Sequence, residues 1–204
     1  AMLLGQLRGI SWEAGRRPAR TSARARANRD AASAAGSVRG SVTGREEGSL
    51  MSWMEERRTE WTPLLASKLK FLLEGRAFIL ITDSERGWFE EYFLKNINKP
   101  TNARPVLPFF SLKALYPSFE NIGSKEEVSL LLDMLSLAFP NGYVFFYVGK
   151  SADKSSQIAK GKDDSYMWLF DEQAQNSFYL SSSDGALDIK LLSLFRLFDK
   201  SIDA

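Results

Sequence analysis

The chain has 204 residues with 27 basic and 25 acidic side chains, and it contains no cysteine and no histidine. Without cysteine there is neither a disulfide framework nor thiolate chemistry, which favours a reducing, cytoplasmic compartment. Without histidine the usual general base near neutral pH, the Ser–His and Cys–His pairs and imidazole-containing zinc sites are excluded, so we expect no catalytic residue, no metal and no cofactor.

Residues 1–50 differ in composition from the rest of the chain. They contain nine Arg but no Lys, Phe or Tyr, among many Ala, Gly and Ser. So few large apolar side chains cannot offset the entropy of ordering the backbone, about 1–2 kcal/mol per residue, so we expect disorder. Met51 is the candidate natural start. Residues 1–50 are then a non-native leader from cloning or upstream translation, with a mitochondrial transit peptide as the alternative.

The charge of the chain is divided unevenly at this boundary. The leader carries nine basic and four acidic residues, whereas residues 51–204 carry 18 basic and 21 acidic ones. Binding to nucleic-acid phosphates needs a clustered basic surface on the folded part, so direct DNA contact by residues 51–204 is disfavoured. No apolar run approaches the roughly 20 residues that a membrane span needs, so we expect no membrane association.

The first predicted elements are a helix and a buried strand. After a polar stretch at 51–60, Thr62 is a candidate N-cap followed by proline at the first helical position, and the helix runs to about Glu74. Gly75 can adopt the left-handed conformation that ends a helix. The apolar run AFILIT (Ala77–Thr82) is typical of a strand buried on both faces.

A second helix and strand complete a βαβ unit. Asp83 and Ser84 are predicted to cap a helix that ends near Asn98, and 106–110 is predicted to be a strand. An alternative makes Asp83 the nucleophile of an aspartyl-phosphate enzyme with Glu85 as a Mg²⁺ ligand. That pattern requires Asp at the second place, so the capping role is favoured.

Helices and strands continue to alternate in the second half. Ser124 and Glu127 form a capping box that opens a helix ending near Phe139. Strands are predicted at 143–148, 166–170 and 178–180, and a last helix follows Asp184 and Gly185. Strands that are apolar throughout, alternating with helices, predict one domain over 51–204, a parallel sheet covered on both faces.

Two helices have more apolar side chains than a single sheet-facing stripe needs, at 130–137 and 191–198. One interpretation is deep burial within the monomer. The other, which we favour, is that their second faces pack against other subunits of a homo-oligomer. The predicted interface residues are Leu130, Met134, Leu137 and Leu192.

Neither candidate phosphate loop has the required pattern. The loop 82–87 after the first strand has a single glycine, and its Asp83 and Glu85 would repel an anion. The sequence Gly149-Lys150-Ser151 fails as a P-loop because the place of the required upstream glycine is Val144. The lysine-rich segment that follows is expected to be a solvated, mobile loop.

Five sequence blocks form a combination that suggests a family. They are ILITDSERGWFEEYFLKNIN (79–98), PVLPFFSLKALYP (105–117), YVFFYVGK (143–150), YMWLFDE (166–172) and LDIKLLSLFRLFDK (187–200). Together they resemble the HobA family of Campylobacter- and Helicobacter-type bacteria, from about residue 60 to the end. The resemblance implies a three-layer, doubly wound α/β fold with a five-stranded, mostly parallel sheet of the sugar-isomerase (SIS)-like or flavodoxin-like kind. It also implies a homotetramer that binds the N-terminal domain of the replication initiator DnaA and helps to assemble DnaA at the chromosomal origin.

Two functions are therefore compared: a non-enzymatic adaptor that binds DnaA, and an SIS-like enzyme or sensor that binds a phosphorylated sugar. A basic, glycine-lined pocket at the end of the first strand would favour the enzyme or sensor. A closed loop there, with helices that bury an oligomer interface, would favour the adaptor.

The partner site is predicted from the terminal helix. Its residues 187, 191, 194, 195, 198 and 202 are expected to pack on the sheet, which leaves a second, partly polar face. We expect that face to border the partner groove together with exposed charges on the helix after the first strand. The predicted partner-binding residues are Arg86, Glu90, Glu91, Arg196 and Asp199.

Overall fold

The computed structural model describes residues 52–203, in which helices separate all the strands except the last two. The strands are β1 (Ala77–Thr82), β2 (Phe109–Ser111), β3 (Tyr143–Lys150), β4 (Tyr166–Phe170) and β5 (Ser177–Leu180). The helices are α1 (Arg58–Leu73), α2 (Gly87–Ile97), α3 (Leu112–Leu115), α4 (Lys125–Ala138), α5 (Lys154–Lys160) and α6 (Leu187–Ile202). A 3-10 turn spans Phe119–Asn121, and residues 52–56 are also helical. The predicted leader, 1–50, lies outside the described residues.

The five strands form one fully parallel sheet in the order β2-β1-β3-β4-β5. This is the flavodoxin-like order of doubly wound folds, in which the direction of strand addition reverses between β1 and β3. Every residue of β1 and β4 is buried, as expected for strands covered on both faces. The predicted three-layer α/β class is confirmed.

Helices cover the two faces of the sheet with separate apolar cores. Helices α1, α2 and α6 pack on one face, where the ring of Phe93 lies 5.2 Å from Phe109, 5.3 Å from Phe146 and 5.0 Å from Phe195. Helices α3, α4 and α5 pack on the other face through Leu112 and other buried apolar residues. Each fully buried large apolar side chain contributes about 1.5–3 kcal/mol, so these two cores fix the helix positions.

Helix α1 begins earlier than predicted and ends as predicted. It starts at Arg58, so Pro63 lies inside the helix and the capping role of Thr62 is wrong. Pro63 lies beyond the first turn, so it removes the intrahelical hydrogen bond to the carbonyl of residue 59 and crowds that carbonyl. At the other end Gly75 has φ +76°, and the N–H groups of Gly75 and Arg76 donate to the carbonyls of residues 72 and 71. This is a Schellman cap.

Residues 52–57 form an N-terminal strap over the outer strand β5. The Trp53 ring meets the Phe178 ring edge-on at 6.1 Å, and the Arg57 guanidinium lies 4.1 Å above the same ring. Arg57 Nη1 also donates to the carbonyl oxygen of Tyr179 at 2.8 Å. Met54 is buried in the core. The polar composition of 51–60 concealed this packing, so the ordered fold begins before residue 60.

Two further predictions on local structure are wrong. Strand β2 begins at Phe109 rather than at 106, because Pro105 and Pro108 have no N–H to donate to the sheet, and Val106 is 83 % exposed. The lysine-rich segment after β3 is not simply a loop, since residues 154–160 form α5, whose first turn is capped by the carboxylate of Asp153. The capping box of Ser124 and Glu127 and the end of α4 are confirmed.

Candidate functional site

The topology points to one edge of the sheet. In doubly wound folds ligands bind beyond the carboxyl ends of the strands, at the position where the strand order reverses. Here β1 ends at Thr82 and its neighbour β3 ends at Lys150, paired in parallel along their length. The loop of residues 83–86, which follows β1, therefore lies at the expected place for a site.

Asp83 fastens this loop to β3 and does not cap α2. Its side chain is almost completely buried; Oδ2 accepts a hydrogen bond from the Lys150 N–H at 2.8 Å and Oδ1 accepts one from the Glu85 N–H at 3.1 Å. Helix α2 begins only at Gly87, and no side chain caps its first turn. The predicted capping role of Asp83 and Ser84 is wrong because the chain makes a tight turn first.

Gly149 is the residue that lets Asp83 approach so closely. It has φ +155°, and a Cβ built on it would lie only 2.7 Å from Cγ and Oδ2 of Asp83. Real Cβ atoms do not come so close to other heavy atoms, so a side chain at this position would push Asp83 away from the Lys150 N–H. Gly149 is therefore required by the close approach of Asp83, a role that the P-loop pattern does not describe.

The charged groups around Asp83 neutralise each other. The Arg86 guanidinium lies 5.1 Å above the Phe170 ring, pairs with Glu85, and stands 4.0 Å from Oδ1 of Asp83. Lys150 also pairs with Glu85. The hydrogen bond from Lys150 has the largest effect on the Glu85 carboxyl and that from Arg86 the next largest, and both hold its pKa below its ordinary value. Arg86 is buried, so its predicted place on an exposed edge is wrong.

Several of the donors that could hold a phosphate at this loop are already taken. The backbone N–H groups of Glu85 and Lys150 already donate to Asp83, and the two nearby cations already pair with carboxylates. At the start of α4, Glu127 accepts hydrogen bonds from the N–H groups of Gly123 and Ser124, which lower the pKa of its carboxyl. Side-chain carboxylates of the protein itself thus occupy several of the positions that would attract an anion.

A large crevice opens beside Asp83, with a volume of about 1170 Å³. We call it the switch-point crevice. One wall is formed by α2, and the opposite wall by α3, the connection to α4, the first turn of α4, and α5. Glu90 and Glu91, both predicted partner-binding residues, line the α2 wall. The Glu90 carboxylate accepts a hydrogen bond from Thr82 Oγ1 at 3.2 Å, whereas Glu91 is exposed.

The other two predicted partner residues belong to α6. Arg196 is exposed on its outer face. Asp199 has an internal role that the sequence did not reveal, because its carboxylate pairs with Arg104. Arg104 also donates to Ile97 O at 2.7 Å and to the Asp203 carboxylate at 2.8 Å. This cluster joins the ends of α2 and α6, so Asp199 is a structural residue whatever else it contacts.

The predicted oligomer residues fall into two groups. Leu130 and Leu137 on α4 are 68 % and 85 % exposed, and Met134 between them is 37 % exposed, whereas Leu131 and Leu135 are buried. The prediction of deep burial within the monomer is therefore wrong for α4. No part of residues 52–203 covers the outer apolar face of this helix. Leu192 on α6 is half-buried. The sheet-facing residues predicted for α6 at 187, 191, 194, 195 and 198 are buried, as expected.

A second polar cluster lies beyond β3. Lys160 Nζ is 2.5 Å from Ser151 Oγ and 3.1 Å from a Glu172 carboxylate oxygen, and Ser151 also pairs with Glu172. An ammonium group bound to a carboxylate has no lone pair to take the serine proton, so this is a structural contact rather than a nucleophile and base.

Across 52–203 no group of three or more potential ligands is placed to hold a metal ion. None of the helices in that range is both long and apolar enough to span a membrane.

Comparisons with known proteins agree on one family. The sequence model of HobA, a DNA replication regulator, matches residues 41–204. The DNA replication regulator protein HobA of Helicobacter pylori is 31 % identical over 166 residues, 78 % of this chain and 88 % of that protein. A crystal structure of Helicobacter pylori HobA aligns with TM-score 0.65 and 28 % identity, covering 81 % of this chain and 90 % of that one. A HobA–DnaA (domain I-II) complex from the same organism aligns with TM-score 0.63 and 28 % identity, covering 81 % and 91 %.

Proposed function

Because the chain belongs to the HobA family of DNA replication regulators, we propose that it is an adaptor that binds the N-terminal domain of DnaA and promotes DnaA assembly at the chromosomal origin. The observation that carries this proposal is the similarity, over most of both chains, to a HobA protein solved in complex with DnaA domain I-II. The partner is then a protein domain, with no direct DNA contact by residues 51–204.

The adaptor acts without catalysis. At the carboxyl edge of the sheet, where an SIS-like enzyme or sensor would hold a sugar phosphate, Asp83 occupies the backbone donors and Glu85 pairs with Arg86 and Lys150. The crevice beside this loop is lined by more acidic than basic side chains, whereas a basic pocket was the feature that would have favoured the enzyme or sensor. Binding of a phosphorylated sugar is the weaker alternative.

The adaptor works as a cytoplasmic homotetramer. The exposed apolar face of α4, formed by Leu130, Met134 and Leu137, supports self-association, since such faces on helices mark protein interfaces. Repetition of the subunit would present several DnaA sites in one assembly, and linked sites raise the effective concentration of bound partners. The absence of cysteine suits the cytoplasm.

Calorimetric titration with purified DnaA domain I-II tests the function. The full chain and residues 51–204 should bind with the same affinity and form the same oligomer, because nothing in the composition of 1–50 offers a surface to bury. Absence of binding by both proteins would overturn the adaptor. A rise in the thermal midpoint with sugar phosphates, together with no DnaA binding, would support the alternative.

A further inference from the structure

The switch-point crevice is larger than a typical small-molecule site. Its volume is about 1170 Å³, whereas pockets for small ligands usually enclose roughly 300–1,000 Å³. It runs between elements as a groove with two walls, and it is lined by apolar side chains that include Leu94, Phe119, Ile122, Val128 and Ile158. An apolar crevice of this size can accept the apolar face of a helix, which inserts side chains at spacings of three and four residues.

The two walls of the crevice carry opposite charges. Glu90 and Glu91 lie on the α2 wall, whereas Lys125 and Lys154 lie on the wall formed by α4 and α5. Within residues 52–203 none of these four side chains takes part in an ion pair. Other charges in the crevice do have partners: Lys113 pairs with Glu120 at 3.5 Å, and Asp83 and Asp153 accept backbone hydrogen bonds.

The positions of the two lysines are unfavourable for their own helices. Lys125 is the first residue of α4 and Lys154 the first residue of α5. Each positive charge therefore stands at the positive end of a helix dipole, where acidic residues are preferred. A carboxylate from a bound partner would offset this repulsion.

We propose that the switch-point crevice is the docking groove for one amphipathic helix of DnaA domain I. This inference rests on the proposed function and specifies the site and the chemistry of the partner. The helix presents apolar side chains to the groove, a basic side chain to Glu90 and Glu91, and an acidic side chain to Lys125 and Lys154. Opposite charges on the two walls fix the direction of the helix, because the reversed orientation would place like charges together.

A pair of tryptophan substitutions tests the groove. Ala114 is exposed and lines the crevice, so Ala114→Trp fills the groove without removing a core side chain. Ala66→Trp places the same side chain on the exposed surface of α1, outside the crevice. We expect Ala114→Trp to weaken DnaA domain I-II binding by at least about tenfold, and Ala66→Trp to leave it within about twofold.

Charge reversal provides a second test that does not depend on packing. Glu91→Lys should weaken binding by about tenfold, and Asp163→Lys, an exposed reversal outside the crevice, should not. Wild-type affinity in both Ala114→Trp and Glu91→Lys would overturn the groove and leave the adaptor function intact. Failure of the unmodified protein to bind DnaA would overturn both.

Discussion

The carboxylate of Asp83 and the backbone N–H of Lys150 form a 2.8 Å hydrogen bond between residues 67 positions apart in the chain. This bond joins the ends of two neighbouring parallel strands, β1 and β3, where the strand order reverses. It fixes the loop of residues 83–86 against β3 at one end of the switch-point crevice.

Substitution of Asp83 should destabilise the protein more than loss of a helix cap would. Asp83→Ala removes the acceptor for two backbone N–H groups and the carboxylate near buried Arg86, so we expect a loss of roughly 1.5–3 kcal/mol in the free energy of unfolding. Urea unfolding measures it, with Asp83→Asn as the milder control. Mg²⁺-dependent phosphatase activity that vanishes in Asp83→Ala would contradict the structural role.

Gly149 should be coupled to Asp83. Gly149→Ala places a methyl group 2.7 Å from the Asp83 carboxylate, so the single variant should lose at least about 2 kcal/mol in stability. In the Asp83→Gly background all three obstructing atoms, Cβ, Cγ and Oδ2, are gone, and the added cost of Gly149→Ala should be smaller. A double-mutant cycle by urea unfolding measures this difference, and strictly additive losses would refute the contact.

Glu127 should make stability depend on pH on the acidic side. Hydrogen bonds from the backbone N–H groups of Gly123 and Ser124, and from the Ser124 hydroxyl, lower the pKa of Glu127 from its ordinary value of 4.5. A lowered pKa in the folded state gives stability that is present above pH 4.5 and is lost as the pH falls through the lowered value. Thermal midpoints of wild type and Glu127→Gln should therefore converge as the pH falls below 4.5. A constant difference from pH 7 to pH 3 would show that the carboxylate charge contributes nothing.

The outer face of α4 should control self-association. Leu130→Glu and Leu137→Glu place charges on the exposed apolar face, and we expect each to shift the proposed tetramer towards smaller species in light scattering. Ser129→Glu, also exposed on α4 and about 100° around the helix from Leu130, is the control. Circular dichroism should stay unchanged in all three. An intact tetramer in both leucine variants would place the subunit interface elsewhere.

Arg196 and Asp199 should behave differently although they are close in sequence. Arg196→Glu changes an exposed side chain, and we expect at least tenfold weaker DnaA binding, about 1.4 kcal/mol, with the circular dichroism spectrum unchanged. Asp199→Lys removes the partner of Arg104 and should lower the thermal midpoint, as Arg104→Ala should. Calorimetry and thermal unfolding separate the two effects. Unaltered DnaA binding in Arg196→Glu would exclude this face as partner site.

The central strands and long helices were predictable because their signals are local. The uninterrupted apolar runs of β1 and β3 and the capping box at Ser124 each specify an element within a few residues. The start of α1 was not predictable in this way. It depends on Trp61 Nε1 donating to Met54 O and on Arg57 reaching β5, contacts that the local pattern of polar residues does not show.

The site was harder to predict than the fold for the same reason. Asp83 followed by Ser84 has the composition of a helix cap, and only the approach of β3 through Gly149 turns the carboxylate towards Lys150. The pairing of Arg104 with Asp199 links residues 95 positions apart. One part of the site was predictable. The acidic residues in the loop after the buried strand β1 argued against phosphate binding, and the ion pairs of Glu85 with Arg86 and Lys150 agree with that prediction.

The N-terminal strap also determines what the two edges of the sheet can do. An outer strand with unpaired carbonyl groups is a template on which another chain can add a strand, the first step towards fibres. At β5 the guanidinium of Arg57 occupies the Tyr179 carbonyl and Trp53 covers the strand, while at the opposite edge Pro108 precedes a β2 of only three residues. Neither edge is an easy template for sheet growth, so molecules held at high local concentration in an assembly can meet through their helices without polymerising through their sheets.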